Sequence, residues 1–218
     1  MTDVFLRSLP AFRALPGPAL AGIAGKMRLR RYRKGETVFA EGDAPDAVYL
    51  LKTGLVKAVK RSASPPAALE IVAPGGFFGM IAVMDGKPYP VSAVALAPCE
   101  AYRIPARDFA ALADAQPRFS RHVYAWLGDH LRRAQALRAL ASEPVPRRIA
   151  HVLGVLVESM GPVLPVRRED VAQIAGCTNE TAIRALADFR KNGLVSTGWK
   201  RVTILDRKRL EALAAGRE

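Results

Sequence analysis

Cysteine is nearly absent from this chain. Cys99 and Cys177 are the only two in 218 residues, and they lie far apart in sequence. Two distant thiols exclude a disulfide framework and a four-ligand zinc site, and they fit a protein that works in a reducing cytoplasm. Long apolar runs are missing as well. No stretch approaches the roughly 18 uninterrupted apolar residues of a membrane helix. The start, MTDVFLRSLP, has no apolar core behind a basic end, so no signal peptide is expected. Catalytic signatures are also lacking: there is no Walker-type loop, no G-x-S-x-G and no His/Cys/Asp cluster at metal spacing. The run Gly75-Gly76-Phe77-Phe78-Gly79 is glycine-rich, but no Lys-Ser or Lys-Thr follows it. These absences argue against an enzyme.

What the chain does have is positive charge. Lys and Arg number 33 against 20 Asp and Glu, a net +13 with a pI near 10.3. Such a balance favours an anionic partner, nucleic acid foremost. It does not say where that partner binds. Residues 1–144 hold 20 basic against 12 acidic residues and residues 145–218 hold 13 against 8, net +8 and +5. Half of the residues are hydrophobic and 24% are charged, as in an ordinary soluble protein, and the length suits two modest domains.

Short helices are expected over residues 3–9 and 16–25. From Met27 to about Ile104 the chain reads as short strands, with alternation in Thr37-Val38-Phe39 and in Val56–Lys60, punctuated by Gly35, Gly42, Gly54, Gly75 and Gly76. Many short strands with glycine turns predict a compact barrel or sandwich. Arg61–Pro66 reads as a hairpin tip. At Pro117 the period becomes helical. Phe119, Val123, Trp126, His130, Ala134, Leu137 and Ala141 form one apolar stripe, which Leu127 and Leu131 widen. A stripe this long and wide must be buried against its own domain and something else. The economical partner is the same helix of a second copy, giving a two-fold homodimer, and the alternative is packing within one chain. Ser142-Glu143-Pro144-Val145-Pro146 interrupts the helix and predicts a hinge. A further helix over Arg147–Ser159 follows, ended by Gly161-Pro162.

The segment Arg167–Phe189 reads as two helices about a turn. Val171, Ile174 and Ala175 point inward, Ala172 allows close approach, and Gly176 makes the turn. Thr178 caps a second helix, Asn179–Lys191, that buries Ala182, Leu186 and Phe189. Asn179, Glu180, Ile183 and Arg184 then lie on its exposed N-terminal face, the part of a helix-turn-helix that enters the major groove. Arg pairs bidentately with guanine and Glu accepts from cytosine N4. Glu180 and Arg184, four apart, are placed to pair with each other. A wing follows: a strand from Gly193, a turn at Thr197–Lys200 and a return at Val202–Ile204, with Lys200 and Arg201 within reach of phosphate.

In these pieces the chain resembles the CRP/FNR family of bacterial regulators over essentially its whole length. The resemblance rests on KGETVFAEGD, VYLLKTGLVKAV, FFGMIAVMDGKPYPVSAVALAPCEAYRIP, the long helix and GCTNETAIRAL. It implies an α+β protein: a double-stranded β-helix (jelly-roll) sensor over 1–116, a dimerisation helix over 117–141, a hinge at 142–146 and a winged helix-turn-helix over 147–218. It implies a homodimeric transcription factor, commonly an activator, that binds palindromic double-stranded DNA and contacts RNA polymerase. The family's E-T-x-x-R recognition pattern falls on Glu180, Thr181 and Arg184. Asn179 and Ile183 depart from the usual flanking residues, which implies a TGA-like core with altered outer bases.

The sensor departs further. Where cyclic-nucleotide binders of the family carry Gly-Glu for the ribose and Arg-Ser for the phosphate, this chain reads Gly79-Met80 and Tyr89-Pro90. A cyclic phosphate needs a cation and donors, so cyclic AMP in the usual mode is not expected. Residues 1–30 contain no cysteine, which removes the iron–sulfur alternative. Gly86–Ala93 looks like the FNR-side subgroups that answer to redox or nitric oxide, some of them through haem. A neutral pocket of Gly79, Met80, Tyr89, Pro90 and Val91 would suit haem, with His122 or His130 as iron ligand and His130 expected beside the pocket. Alternatively Met80 and Tyr89 fill the space and no effector exists. Cys99, Cys177 and His151 are read as structural. A rival from another class remains: a cyclic-nucleotide-type regulatory module acting through protein contacts. Arg184→Ala separates it from a DNA-binding protein.

Overall fold

The structure, a computed structural model, describes residues 2–61, 67–140 and 142–217. Two compact units form, residues 1–58 with 71–135 and residues 59–70 with 136–218. The first opens with three short helices, α1 (Thr2–Ser8), α2 (Pro10–Arg13) and α3 (Gly17–Lys26). Eight strands follow: β1 (Arg28–Tyr32), β2 (Thr37–Phe39), β3 (Ala47–Thr53), β4 (Val56–Lys60), β5 (Ala67–Val72), β6 (Phe77–Phe78), β7 (Ser92–Ala95) and β8 (Cys99–Pro105). They pair as two four-stranded sheets, β1-β8-β3-β6 and β2-β7-β4-β5. The glycine-broken strand pattern predicts a barrel or sandwich, and the family resemblance implies the double-sheet roll. Beyond Arg61, the expected hairpin tip lies outside the described residues.

Strand β3 shows how the sequence sets the layers. Successive side chains of a strand point to opposite faces. Val48 and Leu50 accordingly join a cluster with Leu6, Phe12, Phe109 and Phe119 on the helix side of the sheet. Ala47, Tyr49 and Leu51 join Phe39, Phe78 and Tyr89 in a second cluster. Gly54 turns the chain into β4 at φ +82°, and a Cβ there would stand 2.3 Å from the Pro98 carbonyl oxygen. No other residue fits that approach.

Within the run expected to be strands throughout, Met80–Asp85 is a helix, α4. Gly79 (φ +73°) and Gly86 (φ +69°) bracket it in the left-handed region, which an extended strand cannot continue through. Helices α5 (Ala106–Ala115) and α6 (Pro117–Leu140) complete this part of the chain.

Helix α6 forms where the apolar stripe predicts it, but the stripe has two destinations. Phe119 and Val123 are 0% and 1% exposed within the chain's own helix-side core, so they are not partner-facing. Phe119 packs its ring at 5.5 Å from Phe12 and 5.6 Å from Phe109. Trp126 and Leu127 rest partly on the same cluster. The side chains of Ala134 and Leu137 lie outside the described residues, as does Ala141. Tyr124 and Leu131 remain 62% and 59% exposed on the same helix.

The second unit contains α7 (Val145–Met160), β9 (Val163–Leu164), α8 (Arg168–Ala175), α9 (Asn179–Lys191), β10 (Val195–Gly198), β11 (Arg201–Ile204) and α10 (Arg207–Ala214). The expected hinge is shorter than Ser142–Pro146, because α7 begins at Val145. Pro144 is its N-cap and Pro146 sits in its first turn, where the missing N–H has no helical partner to lose. Ile149, Leu153, Leu156, Val171, Leu186, Phe189 and Leu210 are buried in the core of this unit. The strands form a three-stranded sheet, β10-β11-β9. Strand β9 and helix α10 go beyond what the sequence pattern predicts.

Candidate nucleic-acid interface

The turn between α8 and α9 is made by backbone geometry. Gly176 caps α8 in the left-handed region at φ +62°, and the Cys177 N–H donates to the Ala172 carbonyl at 3.0 Å. This is the C-terminal device that ends helices and lets the chain reverse sharply. Thr178 then caps α9, its Oγ1 accepting from the Thr181 N–H at 3.2 Å. The two threonine hydroxyls also lie 2.8 Å apart. Thr181 is thus engaged in holding the helix start.

One face of α9 buries Ala182, Ala185, Leu186 and Phe189, and this anchors it. Asn179, Glu180, Ile183 and Arg184 are all exposed on the other side, as the spacing predicts. Glu180 and Arg184 do not form the expected ion pair; among the described residues neither is paired with the other. An exposed i,i+4 pair gains only a few tenths of a kcal/mol, little against the entropy of two long side chains. Both are therefore available to an outside partner.

The wing is a tight hairpin. Strands β10 and β11 pair from Val195↔Ile204 to Gly198↔Arg201, leaving Trp199 and Lys200 as its two-residue tip. Lys200, at φ +53°, is the only non-glycine residue with positive φ among the described residues. Its Nζ lies 3.7 Å from the centre of the Trp199 ring, a cation–π contact. Between wing and α9 runs a cleft of about 730 Å³. Asn179 and Ile183 line one wall, and Lys200 and Arg201 line the other. Arg167 and Arg168, from the start of α8, close the cleft, and both are exposed. Sequence reasoning missed these two arginines and Trp199. They are far apart in the chain, and only the hairpin register brings them to one place.

The sensor residues separate. Gly79 and Tyr89 come together: a Cβ on Gly79 would lie 3.0 Å from the Tyr89 ring and 3.2 Å from that of Phe39. Tyr89 is 2% exposed, and its ring stacks on Phe39 with centroids 3.8 Å apart. Its hydroxyl donates to the Ala47 carbonyl at 2.6 Å and accepts from the Ala47 N–H at 3.2 Å. Burial pushes its pKa up to about 12. Met80, in contrast, turns into the helix-side cluster, Pro90 is exposed and Val91 is half-buried. His130 stacks face to face on Trp126 at 5.3 Å, and Trp126 sets its ring edge-on to Phe77 of the helix-side cluster. His122 is exposed. The structure therefore does not group His130 with Tyr89. Burial raises the Cys99 thiol to about 11 and raises that of Cys177 as well, with Arg148 opposing the latter shift. Both are held as thiols, the unreactive form.

Comparison with known proteins places these features in one group. Residues 29–116 match the model of the cyclic nucleotide-binding domain, and residues 147–213 match that of the Crp-like helix-turn-helix domain. The Transcriptional regulator LdrP of Thermus thermophilus is 30% identical over 192 residues, covering 84% of this chain and 95% of that protein. The Cyclic AMP receptor protein of the same organism is 28% identical, covering 97% of this chain and 99% of that protein. The crystal structure of a CRP-family transcriptional regulator, also from Thermus thermophilus, superimposes with a TM-score of 0.73 at 28% identity, covering 85% of this chain and 96% of its own. Among the described residues no helix is long and apolar enough to cross a membrane. With a cyclic-nucleotide-binding-like domain ahead of a helix-turn-helix, the chain belongs to the CRP/FNR family of DNA-binding transcriptional regulators, and is not an enzyme.

Proposed function

We propose that this regulator reads a palindromic DNA site as a homodimer, with α9 of each subunit in the major groove and no need for cyclic AMP. The observation that carries the reading is the exposed face of α9. Asn179, Glu180, Ile183 and Arg184 project from a helix whose opposite face is committed to the core. Thr178 and Thr181 hold its first turn, and Lys200 and Arg201 add positive charge for phosphate. Tyr124 and Leu131, seven residues apart on α6 and well exposed, replace Phe119 and Val123 as the centre of the dimer contact. Two-fold protein symmetry then requires two-fold symmetry in the site. The dimer acts in the cytoplasm, with RNA polymerase as its further partner.

The sensor reading follows from Tyr89. A ring stacked on Phe39, with its hydroxyl satisfied by Ala47, occupies the interior with the protein's own atoms. Neither Met80 nor Tyr89-Pro90 brings a charged side chain to hold a cyclic phosphate. We infer a regulator whose sensor is closed to cyclic nucleotides. The DNA reading is tested by fluorescence anisotropy with Arg184→Ala. Loss of one bidentate base contact, about 1–3 kcal/mol, weakens specific binding by about 5- to 150-fold and leaves binding to unrelated duplex nearly unchanged. Unaltered specific affinity would transfer the function to protein contacts instead.

A further inference from the structure

We propose that Trp199 is a DNA contact in its own right. With α9 in the major groove, the wing tip lies over the adjoining minor groove and sets its indole against the sugar edges flanking the half-site. This rests on the reading of α9 as the DNA-recognition helix. Trp199 is 85% exposed, the most exposed large hydrophobic residue among those described. Its ring, at the end of a two-residue hairpin, meets the ammonium of Lys200 at 3.7 Å. A residue so exposed contributes little to folding, whereas an amphipathic ring beside a cation suits a surface that is both apolar and anionic.

The surroundings select the occupant. The cleft that Trp199 lines carries Arg167, Arg168, Lys200 and Arg201 against the single carboxylate of Glu169. That excess of cations meets phosphate, and the cleft runs without a break to Asn179 and Ile183 on the reading helix. The left-handed Lys200 closes the hairpin immediately after Trp199. The narrow minor groove of A·T-rich flanks concentrates negative potential that favours the Lys200 ammonium beside the ring, so such flanks are preferred without any base hydrogen bond.

The test uses the full-length protein and a duplex selected by it from a random-sequence pool. The chain has two tryptophans, so Trp126→Phe leaves Trp199 as the only reporter. Adding duplex should sharply reduce acrylamide quenching of Trp199. Trp199→Ala should weaken binding severalfold through lost apolar burial, with an unchanged salt slope. Lys200→Ala should lower that slope by about 1. Exchanging the flanks from A·T to G·C should weaken the wild type and leave Lys200→Ala nearly indifferent. If Trp199 stays equally quenchable in the complex and Trp199→Ala binds like wild type while Arg184→Ala does not, the proposal falls and the α9 reading stands. If Arg184→Ala also binds normally, both fall.

Discussion

Replacing Tyr89 by Phe removes one oxygen atom and nothing else, and the structure gives its effect a pH dependence. At neutral pH the Ala47 N–H and carbonyl lose their partner. Leaving buried backbone groups unsatisfied costs about 1–3 kcal/mol, so Tyr89→Phe is less stable by that amount. Raising the pH changes the comparison. Burial favours the neutral phenol, lifting its folded pKa from 10.0 to about 12. Wild-type stabilisation from this shift is complete below pH 10 and is lost as pH rises towards 12. Two pH units correspond to about 2.7 kcal/mol. Tyr32 shifts in the same direction and is common to both proteins, so it cancels in the difference. Urea unfolding followed by tryptophan emission reads the sensor unit, because Trp126 is half-buried there while Trp199 is already exposed. The wild-type advantage should hold to about pH 10 and then vanish or reverse by about pH 12. Parallel stability curves across that range would refute the buried phenol and with it the closed interior.

Two other residue sets separate folding from assembly on α6. Phe119→Ala should cost about 3–5 kcal/mol in urea unfolding, because it empties a site inside the chain's own core. Tyr124→Ala with Leu131→Ala should instead shift sedimentation from dimer to monomer, with little change in the unfolding of the sensor unit. Cyclic AMP, at concentrations that saturate nucleotide-responsive relatives, should change neither the melting temperature nor the DNA affinity; stabilisation by the ligand would overturn the assignment of Met80 and Tyr89-Pro90. In thiol titration at pH 8, buried Cys99 should stay unmodified until the protein unfolds, and half-buried Cys177 should react first.

Much of this architecture is legible in the sequence because the periods are clear. Two-residue alternation broken by glycine marks a barrel or sandwich, and Gly176-Cys177-Thr178 between two amphipathic helices marks the helix-turn-helix. The errors share a cause. Apolar residues on α6 announce that something covers them but not what, so Phe119 and Val123 read as partner-facing when the chain's own helix-side core already covers them. Adjacent residues can also part company: Met80 turns to the helix side while Gly79 backs onto Tyr89, because α4 starts between them. Helix α4 itself is hidden by lying within a run of strands, and only the paired left-handed glycines mark it. Trp199 and Arg167 are 32 positions apart, and nothing local in either segment reveals their meeting.

Hydroxyl-radical footprinting of the wild-type protein on its selected duplex tests the central claim most directly. A dimer presenting two copies of α9 should protect two inverted half-sites, symmetric about a central point and about one helical turn, roughly 34 Å, apart. Arg184→Ala should erase that pattern at equal protein concentration. A single asymmetric protected segment, or a symmetric pattern that survives Arg184→Ala, would contradict it.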